Sequence, residues 1–195
     1  MTLLAGDIIA VYRQADPVTR EIGRLWYSRS AKDVREIARL APRGIGPSRA
    51  AAILAALSPQ TQWSSNWAWA KEVAIAANWR KNPPAIGGFP LNRDKAWRIA
   101  GGEDPDKVLG GPKVRAFWRA LAGDPDAVVL DIWMFRAFGY PDNVTTKTYN
   151  EIAEVMRRAA AHVGESARDL QAIIWLQTRG VRPSDPLEYL AVDDA

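Results

Sequence analysis

The chain has no cysteine and a single histidine, His162, among 195 residues. The first absence excludes disulfides, thiolate zinc sites, cysteine-held iron–sulfur clusters and thiol nucleophiles. The second excludes a multi-histidine metal site. No metal and no cofactor are expected. No apolar run approaches about 18 residues, so no membrane span is expected. The opening, Met1 to Asp7, has neither a basic start nor a long apolar stretch, which speaks against a signal peptide. A cytoplasmic, nucleoid-associated location follows as the expectation. Internal repeats and low-complexity tracts are also missing.

What is present is globular in composition, 48% hydrophobic and 25% charged. Nine tryptophans are dispersed along the chain, most reading as core and some as pocket lining. The charge is mildly basic but uneven. Residues 1–130 carry 19 Lys and Arg against 12 Asp and Glu, whereas residues 131–195 carry 7 against 10. A polyanion partner would therefore meet mainly the first two-thirds of the chain.

Helical periodicity dominates. Leu3, Leu4, Ile8, Ile9 and Tyr12 fall at helical spacing within residues 2–14. Further helices are expected over 30–40 with Ser30 as cap, and over 47–57 with Pro47 in the first turn. Others are expected over 64–79, 92–99, 113–121, 131–138, 148–162 and 166–177. Glycine and proline pairs punctuate the intervals. Val128-Val129-Leu130 has strand composition but is isolated and too short to build a sheet. The fold class expected is all-α, with an acidic tail at 185–195 that frays.

Two glycine turns precede helices, Gly44-Ile45-Gly46 before Pro47 and Gly110-Gly111-Pro112 before Lys113. Either reads as an ordinary interhelical turn or as the hairpin of a helix-hairpin-helix element. In the second case glycine lets the backbone approach a phosphate and the next helix aims its amides at the anion. Lys113 starts its helix, where the dipole favours a neutral, nucleophilic amine. Asp131 lies 18 residues later, after Val128-Val129-Leu130 and before Ile132-Trp133-Met134-Phe135-Arg136. A lysine and an aspartate on one cleft suit N-glycosidic cleavage: the carboxylate stabilises the sugar cation and the amine attacks the anomeric carbon. Helix capping and surface ion pairing are the alternative reading of the same two residues.

The segment from Lys113 through Asp131 to Arg136 resembles the helix-hairpin-helix-GPD DNA glycosylases, the endonuclease III group. There a hairpin lysine is followed at this spacing by the catalytic aspartate and, shortly after, an arginine. Leu57-Ser58-Pro59-Gln60 with Asn66 is similar to the family segment whose glutamine enters the DNA stack. Leu170 to Gly180, with Trp175, resembles the helix ending the family's core. The resemblance spans roughly residues 30–180.

It implies a two-lobed helical fold, with residues 23–121 as the central lobe and residues 1–22 with 122–195 as the second. It implies Lys113 and Asp131 as catalytic residues. Gln60, Gly110, Gly111 and Arg115 would contact DNA, and Trp63 and Asn66 would line the base pocket. Trp67 is a second candidate for stacking, and Arg119 for phosphate contact. The Gly44 turn is a candidate second phosphate contact.

The sequence departs from the family in a shortened hairpin, in Ile132-Trp133 where threonine and histidine usually stand, and in the missing cluster cysteines. Asp124 and Asp126 rival Asp131 for the acidic role, although Gly123-Asp124-Pro125-Asp126 reads as a turn. His162, late in its helix, reads as a partner for terminal carbonyls.

The implied activity is that of a DNA N-glycosylase acting on a damaged or modified base, with abasic-site lyase activity through a lysine Schiff base. The implied partner is double-stranded DNA, with no membrane and no protein partner. Two alternatives stand beside it: a phage-type base-hypermodification enzyme on the same scaffold, and a non-catalytic DNA-binding module.

Overall fold

The structure, a computed structural model, describes residues 3–180. Among them every regular element is a helix, in the order α1 (Ala5–Gln14), α2 (Pro17–Leu40), α3 (Pro47–Leu57), α4 (Trp63–Asn78), α5 (Pro90–Ala100), α6 (Pro105–Val108), α7 (Pro112–Leu121), α8 (Ile132–Ala137), α9 (Thr146–Val163) and α10 (Ala167–Arg179). The chain is all-α. No helix among the described residues is long and apolar enough to cross a membrane. The acidic tail at 185–195 lies outside the described residues.

Local chemistry accounts for most boundaries. Asp16 caps α2: Oδ1 accepts from the amides of Val18 and Thr19 at 2.8 and 2.9 Å, and Oδ2 accepts from the Thr19 hydroxyl at 2.7 Å. Pro17 sits in the first turn, where its missing N–H costs nothing. Ser30 is therefore not a cap. It lies inside α2, buried, and its hydroxyl donates to the Trp26 carbonyl at 3.0 Å. Thr19, Gly23, Tyr27, Ser30, Val34 and Ile37 form one buried stripe at helical spacing, and charged residues between them hide its first half from a periodicity count. The four-residue α6, capped by Asp104, is too short to show any period.

Two buried hydrophobic clusters fill the molecule. The first is built on α3, α4, α5 and α7 with α2 from Trp26 onward. The second joins α1, α8, α9 and α10. The extended run 127–130 lies between them and alternates like a strand. Ala127 and Val129 enter the first cluster, and Val128 and Leu130 the second. A side chain, not a neighbouring strand, satisfies this run: the Tyr149 hydroxyl donates to the Val128 carbonyl at 2.9 Å and accepts from the Leu130 amide at 3.0 Å. Helix α10 divides in the same way, giving Ala172 to the first cluster and Leu170, Ile173 and Ile174 to the second. It packs on α2 at Gly23, where a β-carbon would stand 2.8 Å from the α-carbon of Ile173.

Candidate active site

A cavity of about 130 Å³ opens where the two clusters meet. Lys113 of α7 and Asp131 at the start of α8 both line it. Trp26 and Tyr27 of α2, Trp63 and Asn66 of α4, and Phe117 of α7 supply most of the remaining wall. Helix α10 contributes Gln171, Trp175 and Arg179, which stand four residues apart and so share one face.

Asp131 is 8% exposed and held at both oxygens. As the cap of α8, its Oδ1 accepts from the amides of Trp133 and Met134, each at 3.0 Å. Its Oδ2 accepts from the Trp175 indole N–H at 2.7 Å. Such N–H donors favour the carboxylate form and compensate its loss of water. They also fix its orientation. This geometry suits a stationary negative charge beside a developing cation better than a proton carrier.

Lys113 is the second residue of α7, directly after Pro112. Gly111 precedes them with φ +73°, a conformation that penalises any side chain. The sharp turn brings Lys113 to the cavity wall half-buried. Arg115 braces the turn: its Nε donates to the Leu109 carbonyl and its Nη2 to the Asp106 carbonyl, both at 2.8 Å. Its donors therefore serve the α6–α7 connection. Arg119 faces Asp106 at 3.6 Å. Gly110 and Gly111 are both exposed at the turn.

The aromatic wall is braced in turn. Trp63 meets Trp26 edge-on at 5.8 Å between ring centres, and its indole N–H donates to Asp33 at 2.9 Å. Burial pushes the Asp33 carboxyl up, against the opposing pull of that hydrogen bond. Asn66 is 1% exposed, and its Oδ1 has no hydrogen-bond partner among the described residues. Gln60 is exposed on the bend between Ser58 and Thr61, which themselves line the cavity. It holds φ +53°, a strained value for a residue other than glycine.

Other candidates stand apart. Trp67 does not line the cavity; the Lys71 ammonium lies over its ring at 4.0 Å. Asp124 and Asp126 line a different cavity, and Asp124 accepts from the Asp126 amide at 2.9 Å, as a turn requires. His162 occupies the last turn of α9, exposed. Arg136 pairs with Asp142 at 2.7 Å. The Gly44 turn lines a separate groove with Arg43, Arg49, Arg80 and Lys81.

Sequence reasoning singled out Lys113, Asp131, Trp63 and Asn66 and missed the remaining wall. The spacing of Gln171, Trp175 and Arg179 along the α10 segment was the available signal. The Arg179 guanidinium lies 4.6 Å from the Trp175 ring centre and 5.3 Å from that of Trp133. Among the described residues, no group of three or more His, Cys, Asp or Glu is placed to hold a metal ion.

The chain belongs to a family of unknown function, DUF7178, whose model matches residues 2–182. No curated protein and no solved structure matches it.

Proposed function

We propose that the protein is a DNA N-glycosylase that acts on a damaged or modified base turned out of a duplex, with lyase chemistry through Lys113. The observation that carries this reading is that Lys113 and Asp131 line one small, aromatic-walled cavity. Enzymes that act on a base within a duplex need such a pocket, because the target atom is unreachable inside the stack.

In this reading the two hydrophobic clusters are the cores of two glycosylase lobes. Helix α6, the Leu109-Gly110-Gly111 turn and α7 form the helix-hairpin-helix element. Gln60 fills the gap left by the extruded nucleotide, and the strain at its backbone serves to present it.

The chemistry follows from the two side chains. The bond between sugar carbon and base nitrogen breaks with its electron pair on the base. The fixed Asp131 carboxylate stabilises the positive charge that develops on the sugar. The Lys113 amine, once deprotonated, bonds to the same carbon and passes a further proton to the departing base, and the ring oxygen takes up a proton as the ring opens to leave a Schiff base. Loss of a proton from the adjacent sugar carbon then expels the 3′ phosphate.

The test is a panel of duplexes, each with one modified base, scored for base release and strand cleavage. Release of at least one base is expected. Asp131→Asn should slow that release by about two orders of magnitude or more, roughly 3 kcal/mol of barrier, with duplex affinity retained. A base that gains mass without an abasic product would instead favour the modifying reaction. Salt-dependent binding with no product across the panel would favour a binding module.

A further inference from the structure

The Gly44 turn before α3 takes no part in the Lys113 and Asp131 cavity. It forms one rim of a separate groove of about 470 Å³, whose other walls come from the ends of α4 and α5. Arg49 of the groove and Ser58 of the cavity stand at opposite ends of α3, so about 14 Å separates the two sites.

Arg43, Arg49, Arg80 and Lys81 line this groove, and no carboxylate does. Glu103, which follows Gly102 on the rim, is taken up by Arg98 at 2.7 Å. The C-termini of α4 and α5 end here and favour cations. Arg49 answers one of them by donating to the Gly102 carbonyl at 2.6 Å. The side chains of Arg43, Arg80 and Lys81 make no hydrogen bond or ion pair among the described residues. Arg80 also holds φ +51°, the left-handed region where a helix end usually places glycine. A cation kept at a glycine position points to use rather than to folding. Trp97, half-buried, gives the groove an aromatic wall.

We infer that this groove binds a nucleoside di- or triphosphate, its phosphates on Arg43, Arg80 and Lys81 and its base against Trp97. A volume of about 470 Å³ lies within the roughly 300–1,000 Å³ of small-molecule sites. Cations gathered in the space of one ligand suit charge concentrated on one phosphate chain. A nucleic-acid strand carries one charge per nucleotide, and the same cations would then need a track several nucleotides long. The site does not depend on the reaction assigned to Lys113 and Asp131.

The test is calorimetric titration of the full chain with ATP, AMP, inorganic triphosphate and a short oligothymidylate. ATP should bind at least about ten-fold tighter than AMP, which has fewer charges, and than inorganic triphosphate, which has no ring. Arg43→Glu and Lys81→Glu, both at exposed positions, should each weaken ATP binding about ten-fold or more. Arg80→Gly should also weaken it, at a position where glycine rests without strain, so the loss would not be one of folding. A photoreactive azido-ATP should label the peptide that carries Trp97. No ATP binding at about 1 mM overturns the inference, as does unchanged affinity in the folded variants. Labelling that maps elsewhere does the same, as does triphosphate or oligothymidylate binding as tightly as ATP. Base release from the duplex panel stays as in the unaltered chain for all three groove variants. Loss of base release from the panel with ATP binding intact overturns the glycosylase reading alone.

Discussion

The N–H groups that hold Asp131 include two from the backbone of α8 and one from a side chain 44 residues away. The local pair was legible in the sequence, because an aspartate after an apolar run and before a helix is a cap. The distant donor was not, because no local pattern says which tryptophan of nine will reach it. In the glycosylase reading, Trp175 takes the place of the threonine and histidine that usually follow the aspartate of the helix-hairpin-helix-GPD enzymes. Trp175→Phe keeps the ring and removes the donor. Single-turnover base release should fall about ten-fold or more, with duplex affinity little changed. A loss of affinity with unchanged release would mean that Trp175 packs but does not position.

The element that separates function from stability most sharply is the bend between α3 and α4. Gln60 sits there at φ +53°, exposed, where glycine would rest without strain. Gln60→Gly should raise stability by up to about 1 kcal/mol in a denaturation experiment. The same change should lower base release from duplex DNA, because the wedge is gone. Falling stability would mean that Gln60 makes an unseen structural contact, and unaltered release would remove it from the site. Helices α9 and α10, with side-chain caps and clean periods, and α3, opened by Pro47, were readable from sequence within a few residues. The start of α2 and all of α6 were not. The buried stripe of α2 is interrupted by charges on its other faces, and α6 is a single turn between glycine pairs. The two-faced run 127–130 was readable as extended, but its pairing with Tyr149 depends on tertiary packing.

Across the whole molecule, exposed carboxylates tie fold stability to acid. Thr19 holds Asp16 below its ordinary value of 3.8, and Arg136 does the same for Asp142. Arg98 holds Glu103 below its ordinary 4.5. Lowered values mean that folding favours the charged forms. The stability they add is complete above the ordinary carboxylate range and is lost as pH falls through the lowered values. Asp33, raised by burial, contributes in the opposite sense. The thermal midpoint should therefore be nearly level between about pH 5 and 7 and fall below about pH 4. A midpoint that rises on acidification would reverse the balance.

The central claim joins Lys113 to the sugar, and borohydride trapping on a duplex with one released base tests it most directly. Reduction should lock the protein to DNA through Lys113, as peptide mapping would show, and Lys113→Ala should give no adduct. An adduct of full yield without Lys113, or one mapped to another residue, would contradict it.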